Sequence, residues 1–405
     1  LTALLKNRAF VALTGADVLE TIGVSLFNLI LLTYARTFAQ AQLLVSVVSV
    51  AAVLPGVFGL ALGRLADRLV AKGRWLMRTK WLQAGLYAVM TPLINHRTMG
   101  IFFMVVAINL GSDLLGQLSA CLRQPLLQAK VPTQWQAEAL GINQGIATLM
   151  QLVGQAGGVV LIGLNGSYQL ASAVNAFTFL LAGLVLNWQQ RVLTLPLVAK
   201  KLPVLSIRAL LRQVKVVMEA SAGLNFVAVS LNLLLVNAVG ASIDSILTLF
   251  LLQQGSRLPV SFSVGIVIVN TGFIGGLILG SWLQLAWLSR LTYRTMVWFT
   301  IGVLSLIYIE LWWGQNFWVV TLGMLLAGFG MGQLNPKLNA GLLQRAPAEI
   351  VGSLQGLLMS LATLAVPIGS IGIVLIYNVE SQQAAYGVSL GLLVLAAGCL
   401  IKRSA

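Results

Sequence analysis

Residues 125–145, PLLQAKVPTQWQAEALGINQG, and residues 336–356, PKLNAGLLQRAPAEIVGSLQG, align without a gap at an offset of 211. Both carry P-x-L-x-A followed by A-E-x-x-G-x-x-Q-G. A second echo, Gly59-Leu60-x-Leu62-Gly63 against Gly276-Leu277-x-Leu279-Gly280, recurs at an offset of 217 and in the same order within each half. One half of the chain is therefore a diverged copy of the other, and the apolar stretches that surround both copies say where that duplication works.

Hydrophobic residues make up 58% of the chain and charged residues 9%, far from the quarter or so of charge in an ordinary soluble domain. The formal net charge is +15. Nucleic-acid binding would need those bases on one face of a soluble domain, whereas here they fall between apolar stretches, where orientation signals belong.

A helical span needs about 20 apolar residues. Twelve stretches qualify, near 10–34, 42–62, 77–95, 98–121, 138–163, 168–188, 223–250, 259–283, 293–312, 316–338, 350–376 and 384–401. Continuous apolarity with Gly throughout favours helices over barrel strands, which alternate over shorter segments. With the N-terminus placed in the cytoplasm, all but Arg36, Arg97 and Arg257 of the 25 Lys and Arg residues fall on the inner side, an asymmetry that puts both termini there. Trp312, Trp313 and Trp318 flank an outer loop, and Trp75, Trp135, Trp188 and Trp287 stand near inner boundaries, as an aromatic belt does. The chain begins at Leu1, so a few preceding residues are expected to be missing. Lys6 and Arg8 precede a full-length span, so no cleavable signal is expected.

The fold expected is an all-α integral membrane protein of 12 transmembrane helices in two pseudo-symmetric six-helix halves. The N-terminal half is 1–188, a basic cytoplasmic linker runs over 189–222, and the C-terminal half is 223–405. Duplicated halves in an apolar chain are the architecture of transporters that rock one half against the other. In the linker, Arg191, Lys200, Lys201, Arg208, Arg212 and Lys215 act as topology signals or lie along anionic headgroups.

Chemistry-bearing sets are few. Cys121 and Cys399 are isolated, at the expected inner ends of helices, and His96 stands alone beside Arg97. Neither a metal site nor a catalytic set follows, and no cofactor is expected. No G-x-x-x-x-G-K-[ST] occurs, which leaves an ion gradient as the expected driving force.

Four acids fall inside expected spans: Asp17 and Glu20 in the first, Asp113 in the fourth and Asp244 in the seventh. No Lys or Arg is expected at their depth. An ionised carboxylate facing lipid costs at least about 2.5 kcal/mol, so the four are expected to face water, face one another or be protonated. Asp17 and Glu20, three apart, share a helix face. Asp17 lies roughly 10 Å and Asp113 roughly 12 Å from the inner ends of their spans at 1.5 Å per residue, which lets them meet. The duplication places Leu234, Asn237, Met324 and Phe27 opposite Asp17, Glu20, Asp113 and Asp244, so copying of a scaffold does not account for the acids. Asn28, Asn109, Gln117, Asn237 and Thr248 share their faces. Glu138 and Glu349, the acids of the repeat, are expected to cap spans five and eleven through the helix dipole. Gln144, Thr148, Gln151 and Gln155 form a polar stripe on span five that either lines a cavity or links helices. The positive end of span eleven faces the cytoplasm, where Asp67 is placed to cap it.

Six plus six helices, together with Gly63-Arg64-Leu65-Ala66-Asp67-Arg68 and Gly73-Arg74 after span two, resemble the major facilitator superfamily and its G-x-L-a-D-r-x-G-r-k motif. Pro-x-Leu-x-Ala after span four and Asn335-Pro336 after span ten resemble the macrolide and drug-efflux branch. The resemblance implies that spans one, four, seven and ten line a central cavity. It also implies a cytoplasmic gate at Gly63, Arg64, Asp67, Arg68 and Arg74; the matching Ser281 and Gln284 would make that gate one-sided. Span four carries Asp113 where many proton-coupled exporters of this kind carry Arg, and span five lacks a Gly-Pro motif. The expected protein is a monomeric, proton-coupled secondary transporter of the bacterial inner membrane. It exports amphipathic or cationic small molecules, with Asp17, Glu20, Asp113 and Asp244 for protons and substrate, and it takes no nucleic acid. An uptake symporter, a lysolipid flippase and a non-transporting receptor remain alternatives.

Overall fold

The computed structural model describes residues 2–35, 37–165, 167–194, 207–254, 259–260, 262–283 and 291–401. Arg36, Arg257, Gln284, Trp287, Arg290, the two C-terminal bases and the linker stretch 195–206, with Lys200 and Lys201, lie outside them. Helices carry the described chain, and no strand occurs among the described residues.

Before the linker stretch 195–206 the helices are α1 (Thr2–Lys6), α2 (Arg8–Ala35), α3 (Ala41–Val57), α4 (Gly59–Arg68), α5 (Lys72–Leu93), α6 (Met99–Lys130), α7 (Gln136–Asn165), α8 (Tyr168–Trp188) and α9 (Gln190–Leu193). After it they are α10 (Ile207–Ala222), α11 (Phe226–Gln254), α12 (Phe262–Trp282), α13 (Tyr293–Ile309), α14 (Phe317–Arg345), α15 (Val351–Val366), α16 (Val374–Val379) and α17 (Gln382–Ile401). A π-helical segment, Glu310–Gly314, prolongs α13, and a second, Pro367–Ile373, joins α15 to α16. Among the described residues, ten helices are long and apolar enough to cross a membrane, or up to eleven if α3 and α4, bent by 46° at Phe58, make one span. The α5 helix coincides with the expected third span, but Arg78, Lys80 and Gln83 keep its mean hydropathy low.

Helices overrun the apolar stretches that announce them. The Gly63–Arg68 motif, expected in a loop, forms the body of α4. Pro125, expected beyond the end of span four, lies inside α6. Cys121 is fully buried within α6 rather than at a helix end. The cause is common to all three. Hydropathy marks where lipid begins, whereas a helix continues into the headgroup layer as long as its backbone is hydrogen-bonded and one face packs.

The chain resolves into two compact units, one of Leu1–Ala139, Ile146–Leu205 and Pro347–Ser360, the other of Leu140–Gly145, Ser206–Ala346 and Leu361–Ala405. In the first, α2 packs on α8 and α6, and α5 on α8 and α6. Its apolar core gathers Phe27, Ile30, Tyr34, Tyr87, Phe102 and Phe179, all fully buried. Phe27 meets Tyr87 edge-on at 4.9 Å between centroids, and Tyr87 stacks on Phe179 at 5.5 Å. In the second unit, α14 packs on α12 and α13, and α11 on α17.

Glycine sets the closest approaches. A Cβ at Gly63 would collide with the carbonyl of Gly352, and one at Gly356 with that of Gly59. The break between α3 and α4 is closed by Ser360, whose Oγ accepts from the Leu60 amide at 3.1 Å and donates to the Gly56 carbonyl at 3.1 Å.

Candidate functional site

Below the aromatic core of the first unit, α2, α5 and α6 bring charged and polar side chains together. Asp17 and Glu20 are both nearly buried. Glu20 Oε1 accepts from Lys80 Nζ at 2.6 Å, and Asp17 is paired with Arg123. This corrects the expectation that no cation shares the depth of the acids. Lys80 and Arg123 both read as inner-boundary bases, yet Lys80 lies eight residues into α5 and is 1% exposed. Arg123 sits in the prolonged part of α6, seven positions beyond Gly116 and therefore on the same face of the helix.

The network continues inward. Lys80 Nζ donates to Gln83 Oε1 at 2.9 Å, and Gln83 Nε2 donates to the Ser112 carbonyl at 3.0 Å. One turn along α5, Tyr87 donates to Asn109 Oδ1 at 2.7 Å, and Asn109 Nδ2 donates to Asp113 Oδ2 at 2.9 Å. Gly116 makes room for the arrangement, since a Cβ there would stand 3.1 Å from Glu20 Oε1. Gln117 Nε2 is buried with no hydrogen-bond partner among the described residues.

Charge counting separates the three acids. Asp17 with Arg123 and Glu20 with Lys80 are each neutral as pairs, which offsets the cost of burying them. Asp113 receives one hydrogen bond from a neutral amide, and no Lys or Arg forms an ion pair with it among the described residues. Gain or loss of one proton at Asp113 therefore changes the net charge of the whole cluster.

The remaining expected residues are dispersed. Asp244 and Thr248 are exposed on α11, and Thr248 Oγ1 donates to the Asp244 backbone carbonyl rather than to its carboxylate. Asn237 is half-buried and donates to the Leu233 carbonyl, and Asn28 is half-buried on α2. Glu138 stands in the first turn of α7, half-buried. Glu349 is exposed in the turn two residues before α15, outside the helix. Asp67 meets the start of α15 where it was placed to cap it, its two carboxylate oxygens accepting from Gly352 N and Ser353 N at 2.7 Å each. Lys72 Nζ donates to the carbonyls of Ala66 and Asp67 and so fixes the end of α4. Gly63 lies against α15, Arg64 is half-buried, and Arg68 and Arg74 are exposed.

Over residues 4–370 the sequence matches the Major Facilitator Superfamily. The chain belongs to that superfamily. It is a multi-pass membrane transporter rather than an enzyme. No curated protein sequence matches this facilitator. Its fold is similar to that of a bacterial homologue of the iron transporter ferroportin in the outward-facing state, with TM-score 0.74, 16% identity, and 97% of this chain and 98% of that one covered. It is also similar to the human organic anion transporter MFSD10 (TETRAN), with TM-score 0.71, 17% identity and 97% and 99% coverage. The proton:xylose symporter XylE, solved with 6-bromo-6-deoxy-D-glucose, gives TM-score 0.66 at 13% identity, with 98% and 95% covered. At these identities the likeness concerns the fold.

Proposed function

We propose that this facilitator is a proton-driven secondary transporter that exports amphipathic, cationic small molecules by alternating access. In this reading it works as a monomer in the bacterial cytoplasmic membrane, with twelve spans, both termini inside and no cofactor beyond the proton gradient. The observation that carries it is the carboxylate of Asp113, in no ion pair among the described residues, beside two neutral ion pairs.

A buried cluster tolerates one positive charge at a time on Asp113, either a proton or the cationic group of a substrate. Arrival of the substrate cation releases the carboxyl proton, and departure of the substrate outside lets a proton return. Each exchange keeps the cluster neutral. Asp17 and Glu20 hold the bases that would otherwise take Asp113, while Asn109 and Gln117 supply polar contacts. Asn28 on α2 and Asn237, Asp244 and Thr248 on α11, the first span of each half, are assigned to the substrate path. At the cytoplasmic end, opening requires the two Asp67 bonds to the start of α15 to break, with Gly63 permitting the close approach and Arg64, Arg68 and Arg74 bordering it.

The test is efflux of a lipophilic cationic dye from proteoliposomes under an imposed pH gradient. Wild-type protein should show gradient-dependent efflux, Asp113→Asn should abolish it while still binding dye more weakly, and Asp17→Asn and Glu20→Gln should reduce it. A folded wild type without efflux, or an unaffected Asp113→Asn, rejects the reading.

A further inference from the structure

The longer helix of the linker between the halves is not used by the transport reading. The α10 helix runs over Ile207–Ala222, and Leu210, Val214, Val217 and Met218 bury one side of it against α14. Ser221 Oγ fastens its end to the Gly341 carbonyl at 3.0 Å. After Gly223, at φ 67°, the chain turns directly into α11, whose Phe226 amide donates to Glu219 Oε1 at 2.8 Å. A turn this short puts the end of α10 at the level where the α11 span begins, which is the membrane surface.

The side of α10 opposite α14 carries Arg208, Arg212 and Lys215, spaced three and four residues apart and all exposed. Among the described residues only Lys215 of the three has an acid within ion-pair reach, Glu219, at the loose distance of 4.0 Å. Leu211 and Val216 flank this basic stripe on either side and are 39% and 59% exposed. A face turned to bulk water gains nothing from two bare aliphatic side chains beside its cations. A face lying on a bilayer does, because the bases reach headgroup phosphates while the aliphatic chains enter the layer beneath.

We propose that the exposed face of α10 docks onto anionic phospholipid headgroups of the bilayer that holds the chain. The occupant follows from charge complementarity and from the continuity of α10 with a spanning helix, and the inference holds whatever the protein transports. Each base near an anionic surface strengthens the attraction, so the contact is sensitive to lipid charge and to salt.

The experiment places a bimane label at Val216→Cys in the full chain, with Cys121→Ala and Cys399→Ala, in nanodiscs of phosphatidylglycerol with phosphatidylcholine or of phosphatidylcholine alone. Shallow doxyl-labelled lipid should quench the label in the anionic discs. That quenching should be lost in phosphatidylcholine discs, in high salt and in Arg208→Gln/Arg212→Gln/Lys215→Gln, where aqueous iodide should quench instead. Iodide quenching in both lipids, or lipid quenching indifferent to phosphatidylglycerol and to the triple variant, overturns the proposal.

Discussion

Lys80 is the side chain on which the buried cluster depends. It is enclosed by α5, α2 and α8, bonded to Glu20 and Gln83, and its Nζ lies 5.8 Å from the centroid of the Phe179 ring. Lys80→Ala strands the Glu20 carboxylate and is expected to cost about 3–5 kcal/mol, whereas Lys80→Met with Glu20→Gln removes both charges and should restore most of the loss. Thermal denaturation of the detergent-solubilised protein decides it: a double variant as unstable as the single one would show that the two residues are not coupled. The acids of this cluster were legible from the sequence because a carboxylate in an apolar stretch has no bland explanation. Their partners were not. Lys80 and Arg123 resemble the many bases that merely mark the inner boundary, and only their spacing, Lys80 with Gln83 and Tyr87, Arg123 with Gly116, sets them on inward-facing stripes.

At the scale of the element, α4 is the helix whose existence the sequence concealed and whose contact it revealed. Glycine at positions 59 and 63 lowers helix propensity, and the motif residues look like a loop. Packed against the start of α15, the same glycines let two backbones touch, and the helix forms through tertiary contact. Asp67 at its end was predictable as a cap, since a helix start facing the cytoplasm needs an anion. Asp67→Ala leaves the Gly352 and Ser353 amides unserved and should destabilise that helix start by about 0.5–2 kcal/mol. Amide hydrogen exchange over residues 351–354 should speed up, with Asp67→Asn in between; unchanged exchange would mean that the cap contributes nothing.

Across the whole molecule, the string of apolar stretches and the motif from Gly63 to Arg74 announced the family, and neither depends on knowing a single contact. The orientation that the bases imply is open to a direct check. A green fluorescent protein fused to the C-terminus should fluoresce, and alkaline phosphatase inserted beside His96 and Arg97 should be active; the reverse pattern would invert the topology. What the repeat could not disclose is that its two copies pack differently. Gly59 and Gly63 lie against Gly356 and Gly352, whereas their counterparts Gly276 and Gly280 lie against the backbone of Leu325 and Phe329 on α14, and Gly145 lies against the Trp282 ring. Identical letters kept their small size and changed their neighbours. The π-helical stretch Pro367–Ile373 records the same divergence as chronology. A π turn holds one more residue than an α turn, while the matching helix α7 is α-helical throughout. An insertion in one copy alone would leave this trace, so the offset of 211 that aligns the copies before it is not binding beyond Ile373.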